Sequence, residues 1–174
     1  MASVRPLVED EWATFRGIRL RSLLDSPEAF ESTYGEESAH GERAWRDWAA
    51  GRWRGGEAIV FVAELFDRAI GTATGAAYDR EPGTTYVYAM WVEPDARGAG
   101  VGRSLLDEVE TWARDRGSNR LRLNVTETNQ AARRFYEACG FQETVEREPL
   151  REDSDLNVLI LEKGLEGPSI HSPA

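Results

Sequence analysis

Cysteine and histidine are almost missing from this 174-residue chain: Cys139 stands alone, and His40 and His171 are the only imidazoles. One cysteine excludes an internal disulfide and any multi-cysteine metal site. Two histidines far apart in sequence argue against a zinc enzyme, so no metal is expected. Long apolar runs are missing as well. Stretches such as residues 58–63 fall far short of the roughly 20 residues that a membrane span requires, and the N-terminus lacks the basic-then-apolar layout of a signal peptide. A soluble, cytoplasmic protein without a membrane partner is expected. Positive charge is in short supply: 21 Lys and Arg against 31 Asp and Glu leave a net charge of -10. Phosphate contacts dominate nucleic-acid affinity, so this balance argues against a nucleic-acid partner and favours a cationic one.

What is present reads as mixed α/β, a mainly antiparallel central sheet flanked by helices. Residues 3–8 form a short first strand, and Asp10 can cap a helix to about residue 24 that carries Trp12, Phe15, Ile18 and Leu23. A turn-forming link over 25–30 leads to a second helical segment over about 36–53. Strands over 58–65, 69–78 and 84–92 make an antiparallel meander. A helix over 101–116, a strand over 120–126, a helix over 129–139 and closing strands over 142–147 and 156–162 follow. Residues 1–163 are expected to form one domain. Residues 164–174, rich in Gly, Pro and Ser, read as a disordered tail.

The most informative stretch is Arg97-Gly98-Ala99-Gly100-Val101-Gly102-Arg103, which joins the strand over 84–92 to the helix whose stripe is Val101, Leu105, Val109 and Trp112. A strand that breaks into glycines and restarts as a helix leaves unpaired N–H groups converging on one spot, which suits a phosphate-bearing ligand. Glycine at 98, 100 and 102 lets the backbone approach without a Cβ and tolerates positive φ. Arg97 and Arg103 add charge. A P-loop is excluded, because only three residues separate Gly98 from Gly102 and Arg103 stands where its lysine belongs. The strictly alternating glycines also fail the dinucleotide fingerprint.

A second stretch, residues 129–141, places Asn129 and Tyr136 seven residues apart on one helical face, with Ala132 nearby. Together, V-E-P-D-A-R-G-A-G-V-G-R-S-L-L at 92–106 and N-x-x-A-x-x-F-Y-x-x-x-G-F at 129–141 resemble the GNAT superfamily of acetyl-coenzyme A-dependent N-acetyltransferases. The resemblance covers about residues 58–162, and residues 1–55 match in element order alone. It implies acetyl-coenzyme A as acetyl donor, with the main chain of Met90, Trp91 and Val92 pairing with the pantetheine arm. It places the main-chain N–H groups of the run from Arg97 to Ser104 on the pyrophosphate, and Asn129 and Ala132 beside pantetheine. Tyr136 becomes the general acid for the departing thiolate. The first 55 residues would build the acceptor site, and a homodimer is implied.

The general base is open. The strand over 84–92 carries no carboxylate, unlike family members with a strand glutamate. Tyr86 and Tyr88 share one face of it with Met90 and are candidates for a water-mediated relay. Glu28, Glu31, Glu36 and Glu37 gather where a cationic acceptor would enter. The implied activity is acetyl transfer to the primary amine of a small molecule by direct attack in a ternary complex. The alternatives are transfer to a protein or peptide N-terminus, and a non-catalytic acyl-coenzyme A-binding sensor.

Overall fold

In the computed structural model, which describes residues 2–53 and 56–165, the chain runs β1 (Ser3–Pro6), α1 (Trp12–Asp25), α2 (Tyr34–Ser38), α3 (Glu42–Ala49), β2 (Arg52–Trp53), β3 (Gly56–Leu65), β4 (Arg68–Ala77), β5 (Thr84–Val92), α4 (Val101–Asp115), β6 (Arg120–Thr126), α5 (Gln130–Ala138), β7 (Gln142–Pro149) and β8 (Asn157–Gly164). The sheet order is β1-β3-β4-β5-β6-β8-β7, and β2 pairs with the start of β3. Every neighbour is antiparallel except β5 and β6. Among the described residues no helix is long and apolar enough to cross a membrane.

Alternation along the strands sorts the side chains into two cores. Phe61 and Ala63 of β3 join α4 and α5 in one, whereas Val60 and Val62 join α1 and α3 in the other. The second core is organised around Trp45, which is fully buried and meets Phe15 edge-on at 5.8 Å. The sheet therefore separates two helical layers, and only a gap in the sheet lets a ligand touch both.

Three boundaries differ from the sequence reading. The helical segment expected over 36–53 divides into α2, α3 and β2, because the Trp45 indole N–H bonds the His40 carbonyl and Gly41 takes an extended ψ of 168° before α3. Asp10 does not cap α1; it sits in a 3-10 turn and pairs with Arg46 at 3.1 Å, while the Glu11 carboxylate accepts the Val8 N–H. At the far end, β8 extends to Gly164, which pairs with Arg120, and Leu165 is buried. These two residues thus belong to the fold, and 166–174 lie outside the described residues.

The approach of α4 to the sheet depends on Gly75 in β4. A Cβ there would lie 3.1 Å from both Val109 and the Trp112 ring, tighter than ordinary contact. Gly75→Val is expected to lower stability by about 1–3 kcal/mol through overpacking, read as a lower urea midpoint with an unchanged slope.

Candidate active site

The gap is made by β5. Its parallel pairing with β6 covers only Thr84–Tyr86 against Arg120–Arg122. On its other side, Thr74 faces Tyr88 but Thr72 faces Trp91, so β5 carries one residue more than β4 between those pairs. The extra residue is a bulge at Ala89, whose φ of 50° lies in the left-handed region. A bulge bends a strand and increases its local twist. It turns the second half of β5 away from β6, which remains bonded to β8 along its whole length. Between the diverging strands lies a cleft of about 1040 Å³, lined by Val87, Tyr88, Ala89 and Met90 on one side and by Asn124, Val125 and Thr126 on the other.

Beyond the end of β5 the chain enters α4 through the glycine turn. Gly98 and Gly100 have φ of 78° and 82° with open space where a side chain would stand, whereas at Gly102, inside the first helical turn, an added Cβ would lie 3.3 Å from the Phe135 ring. The Arg97 N–H is taken by the Pro94 carbonyl and the Ser104 N–H by that of Gly100. No side chain caps the helix. The N–H groups of residues 98–103 carry no such bond, and they sit at the positive end of the helix dipole.

The opposite wall is α5. Asn129 caps it by accepting the Ala132 N–H at 3.1 Å on Oδ1, which leaves its Nδ2 donor for the cleft. Tyr136, 9 % exposed, is wedged between Phe135 and Phe141 with ring centroids 5.1 and 5.6 Å away. Burial, and after it the neighbouring Cys139 thiol, pushes the Tyr136 phenol well above its usual range. The hydroxyl therefore stays protonated and available as a donor at neutral pH. The remaining walls come from α1, α2 and the β7–β8 connection. The segment after α1 is tied to the tip of β6 by the Thr126 hydroxyl, which donates to the Glu28 carbonyl.

The profile of the acetyltransferase (GNAT) family matches residues 12–141, and the match contains the bulged strand, the glycine turn and the Asn129–Tyr136 face. The chain belongs to the GNAT acetyltransferase family. A mycothiol acetyltransferase of Thermobispora bispora is 32% identical over 133 residues, 76% of this chain and 42% of that protein. An aminoglycoside N(6')-acetyltransferase type 1 of Stenotrophomonas maltophilia is 37% identical over 59 residues, 34% of this chain and 39% of that protein. The chain spans about two-fifths of the length of these curated relatives. Among solved structures, a GNAT-family acetyltransferase from Streptococcus pneumoniae superposes with a TM-score of 0.78 at 19% identity, covering 95% of this chain and all of that one. A putative acetyltransferase from Salmonella typhimurium, solved with its cofactor acetyl-CoA, gives 0.77 at 19% identity, covering 100% and 98%. At such identities the likeness is one of fold.

Within this GNAT fold several expected site residues have partners inside the protein. Arg97 donates from Nη2 to Asp25 at 2.6 Å and from Nε to the Val92 carbonyl at 2.8 Å, so its charge is paired and the Val92 oxygen is occupied. The Trp91 side chain is buried in the α1–α3 core, with Nε1 on Asp25 at 2.9 Å. Arg103 donates from Nε to Asp107 at 3.0 Å, one helical turn further along α4. The bulge breaks the alternation expected along β5: Met90 packs toward α4 and α5, while Tyr86 and Tyr88 stack at 5.8 Å on the other face. Tyr86 donates to Glu81 and does not line the cleft, whereas Tyr88 does.

The four glutamates also separate. Glu28 is beside a smaller cavity, Glu36 closes a capping box on Thr33, and Glu37 is buried against Arg19. Glu31, Glu36 and Glu37 line the main cleft. The sequence reading missed Arg19 and Asp25. Arg19 had a visible signal, a charged residue in the apolar stripe of α1 four places after Phe15 and four before Leu23.

Proposed function

We propose that this chain transfers the acetyl group of acetyl-coenzyme A to the primary amine of a small molecule by direct attack. The observation that carries the reading is the bulge-opened gap between β5 and β6, because residues 87–90 of β5, Asn129, Ala132 and Tyr136 of α5 and its N-cap, and the α1–α2 layer all line that one space. The N–H groups of residues 98–103 hold the pyrophosphate. The pantetheine arm lies along the edge of β5 that the bulge frees, against the main chain from Val87 through Met90 and Trp91, with the Val92 carbonyl already accepting from Arg97. Asn129 Nδ2 donates to the arm, and Tyr136 faces the thioester sulfur.

Holding amine and thioester together contributes up to about 7–11 kcal/mol when the geometry is good. The amine attacks the acetyl carbonyl carbon, the C–S bond breaks, the Tyr136 hydroxyl hydrogen-bonds the departing thiolate, and the nitrogen proton passes to solvent. An alkylamine is only about one part in 2,500 neutral at pH 7. Glu31 and Glu148 at the cleft draw the abundant cationic form in. Tyr86 is outside the relay, because its hydroxyl is bonded to Glu81.

Thiol release is measured with acetyl-coenzyme A and a panel of small amines, basic amino acids, polyamines and peptides with free N-termini. Release with small amines and formation of the N-acetyl product by mass spectrometry are expected. Release with peptides alone would replace the reading by N-terminal acetylation, and coenzyme binding with no release from any of them would leave a sensor.

A further inference from the structure

Three buried side-chain polar atoms have no hydrogen-bond partner among the described residues: Arg19 Nη1, Arg21 Nε and Thr74 Oγ1. Of these residues, only Arg19 belongs to the wall of the cleft. It is 8 % exposed. Its Nε and Nη2 donate to the two Glu37 oxygens at 2.9 and 2.7 Å, and its guanidinium lies over the Phe30 ring at 4.5 Å. One edge of the fork is spent on Glu37 and one face on Phe30, so the group is fixed in place while Nη1 is left without a partner. Glu37 and Phe30 line the cleft too. A buried N–H of a charged group left unpaired is costly, and a ligand oxygen would satisfy it.

We propose that Arg19 Nη1 selects the acceptor, and that the acceptor carries, besides its amine, a hydrogen-bond-accepting carboxylate or carbonyl oxygen. The proposal rests on the reading of the cleft as an amine-acetylating site. Charge narrows the class further. The Arg19–Glu37 pair is neutral in sum, and the rest of the wall is acidic, with Glu31, Glu36, Glu148, Glu152 and Asp153 opposed by Arg151. An acceptor of net negative charge is repelled by such a wall. An amino acid, with its ammonium and carboxylate balanced, or an amino acid amide meets both demands: the amine turns to the acidic side and the oxygen to Nη1.

The test uses matched triples of amino acid, amino acid amide and the corresponding amine without the oxygen group, for leucine, phenylalanine and methionine skeletons. Thiol release is followed with acetyl-coenzyme A, and binding to the coenzyme A complex by calorimetry. The oxygen-bearing members are expected to be preferred by about 10- to 100-fold in kcat/KM or affinity, and the acid and amide arms separate carboxylate from carbonyl recognition. In the double variant Arg19→Met/Glu37→Met, which leaves no buried charge unpaired, the preference falls to less than about 3-fold while coenzyme A still binds. Equal use of all three members, or a preference that survives in the double variant, overturns the Arg19 contact and leaves amine acetylation standing. Preferential binding without thiol release retains the contact and overturns amine acetylation. Neither preference nor release overturns both.

Discussion

Tyr136→Phe is expected to lower kcat by about 10²-fold while changing acetyl-coenzyme A affinity less than about 3-fold. The factor sits at the lower end of the range for positioned acids and bases, for a reason visible in the site. A leaving alkyl thiolate has a conjugate acid near pKa 8.5, and burial holds the Tyr136 phenol above its own usual 10. Complete transfer of the proton is therefore uphill, and the hydroxyl acts chiefly by hydrogen-bonding sulfur as its charge develops. The phenylalanine ring keeps the packing between Phe135 and Phe141, which spares the coenzyme. Because the phenol is raised, its deprotonation lies above pH 10, and it adds no limb between pH 6 and 9. Wild-type and variant profiles should run parallel there, both rising as the amine loses its proton. An unchanged kcat would take the acid role away from Tyr136, and a limb present in the wild type but lost in the variant would show that its phenol titrates within that range and is not raised.

The elements around this site were legible in the sequence for physical reasons, and the misreadings have physical reasons too. The β5–turn–α4 passage announces itself because α4 must bury Val101, Leu105 and Val109 at helical spacing while glycine interrupts the strand signal before it. The bulge at Ala89 carries no such mark. Tyr-Val-Tyr-Ala-Met-Trp-Val reads as an unbroken strand, and counting faces through it assigns Met90 to the wrong side, since one inserted residue reverses every later position. Charges were harder. Arg97 looked free for phosphate because its partner, Asp25, is 72 residues away in sequence. Glu36 and Glu37 are adjacent yet have unrelated roles, one capping its own helix, the other buried 18 residues from Arg19. Local pattern exposes burial and turns; pairing across the fold requires the fold.

The Arg19–Glu37 pair leads to the largest effect expected on stability. Arg19→Met alone leaves the Glu37 carboxylate about nine-tenths buried with its bidentate partner removed. Breaking a buried pair from one side costs about 3–5 kcal/mol, because a charge stays behind without compensation, whereas replacing both members with apolar residues of similar volume is often neutral or stabilising. The single variant should thus show a large fall in the urea midpoint, and adding Glu37→Met should recover most of it. That recovery is a measured coupling between neighbours and not the sum of two independent losses. The two variants also separate folding from recognition. If the pair served stability alone, the recovered double variant would keep the wild-type choice among acceptors. If the pair is retained to hold Nη1 at the cleft, stability returns in the double variant and acceptor choice does not. A single variant as stable as the wild type would show that Glu37 finds water or another donor once Arg19 is gone, and the wall of the cleft would then be softer than its packing implies.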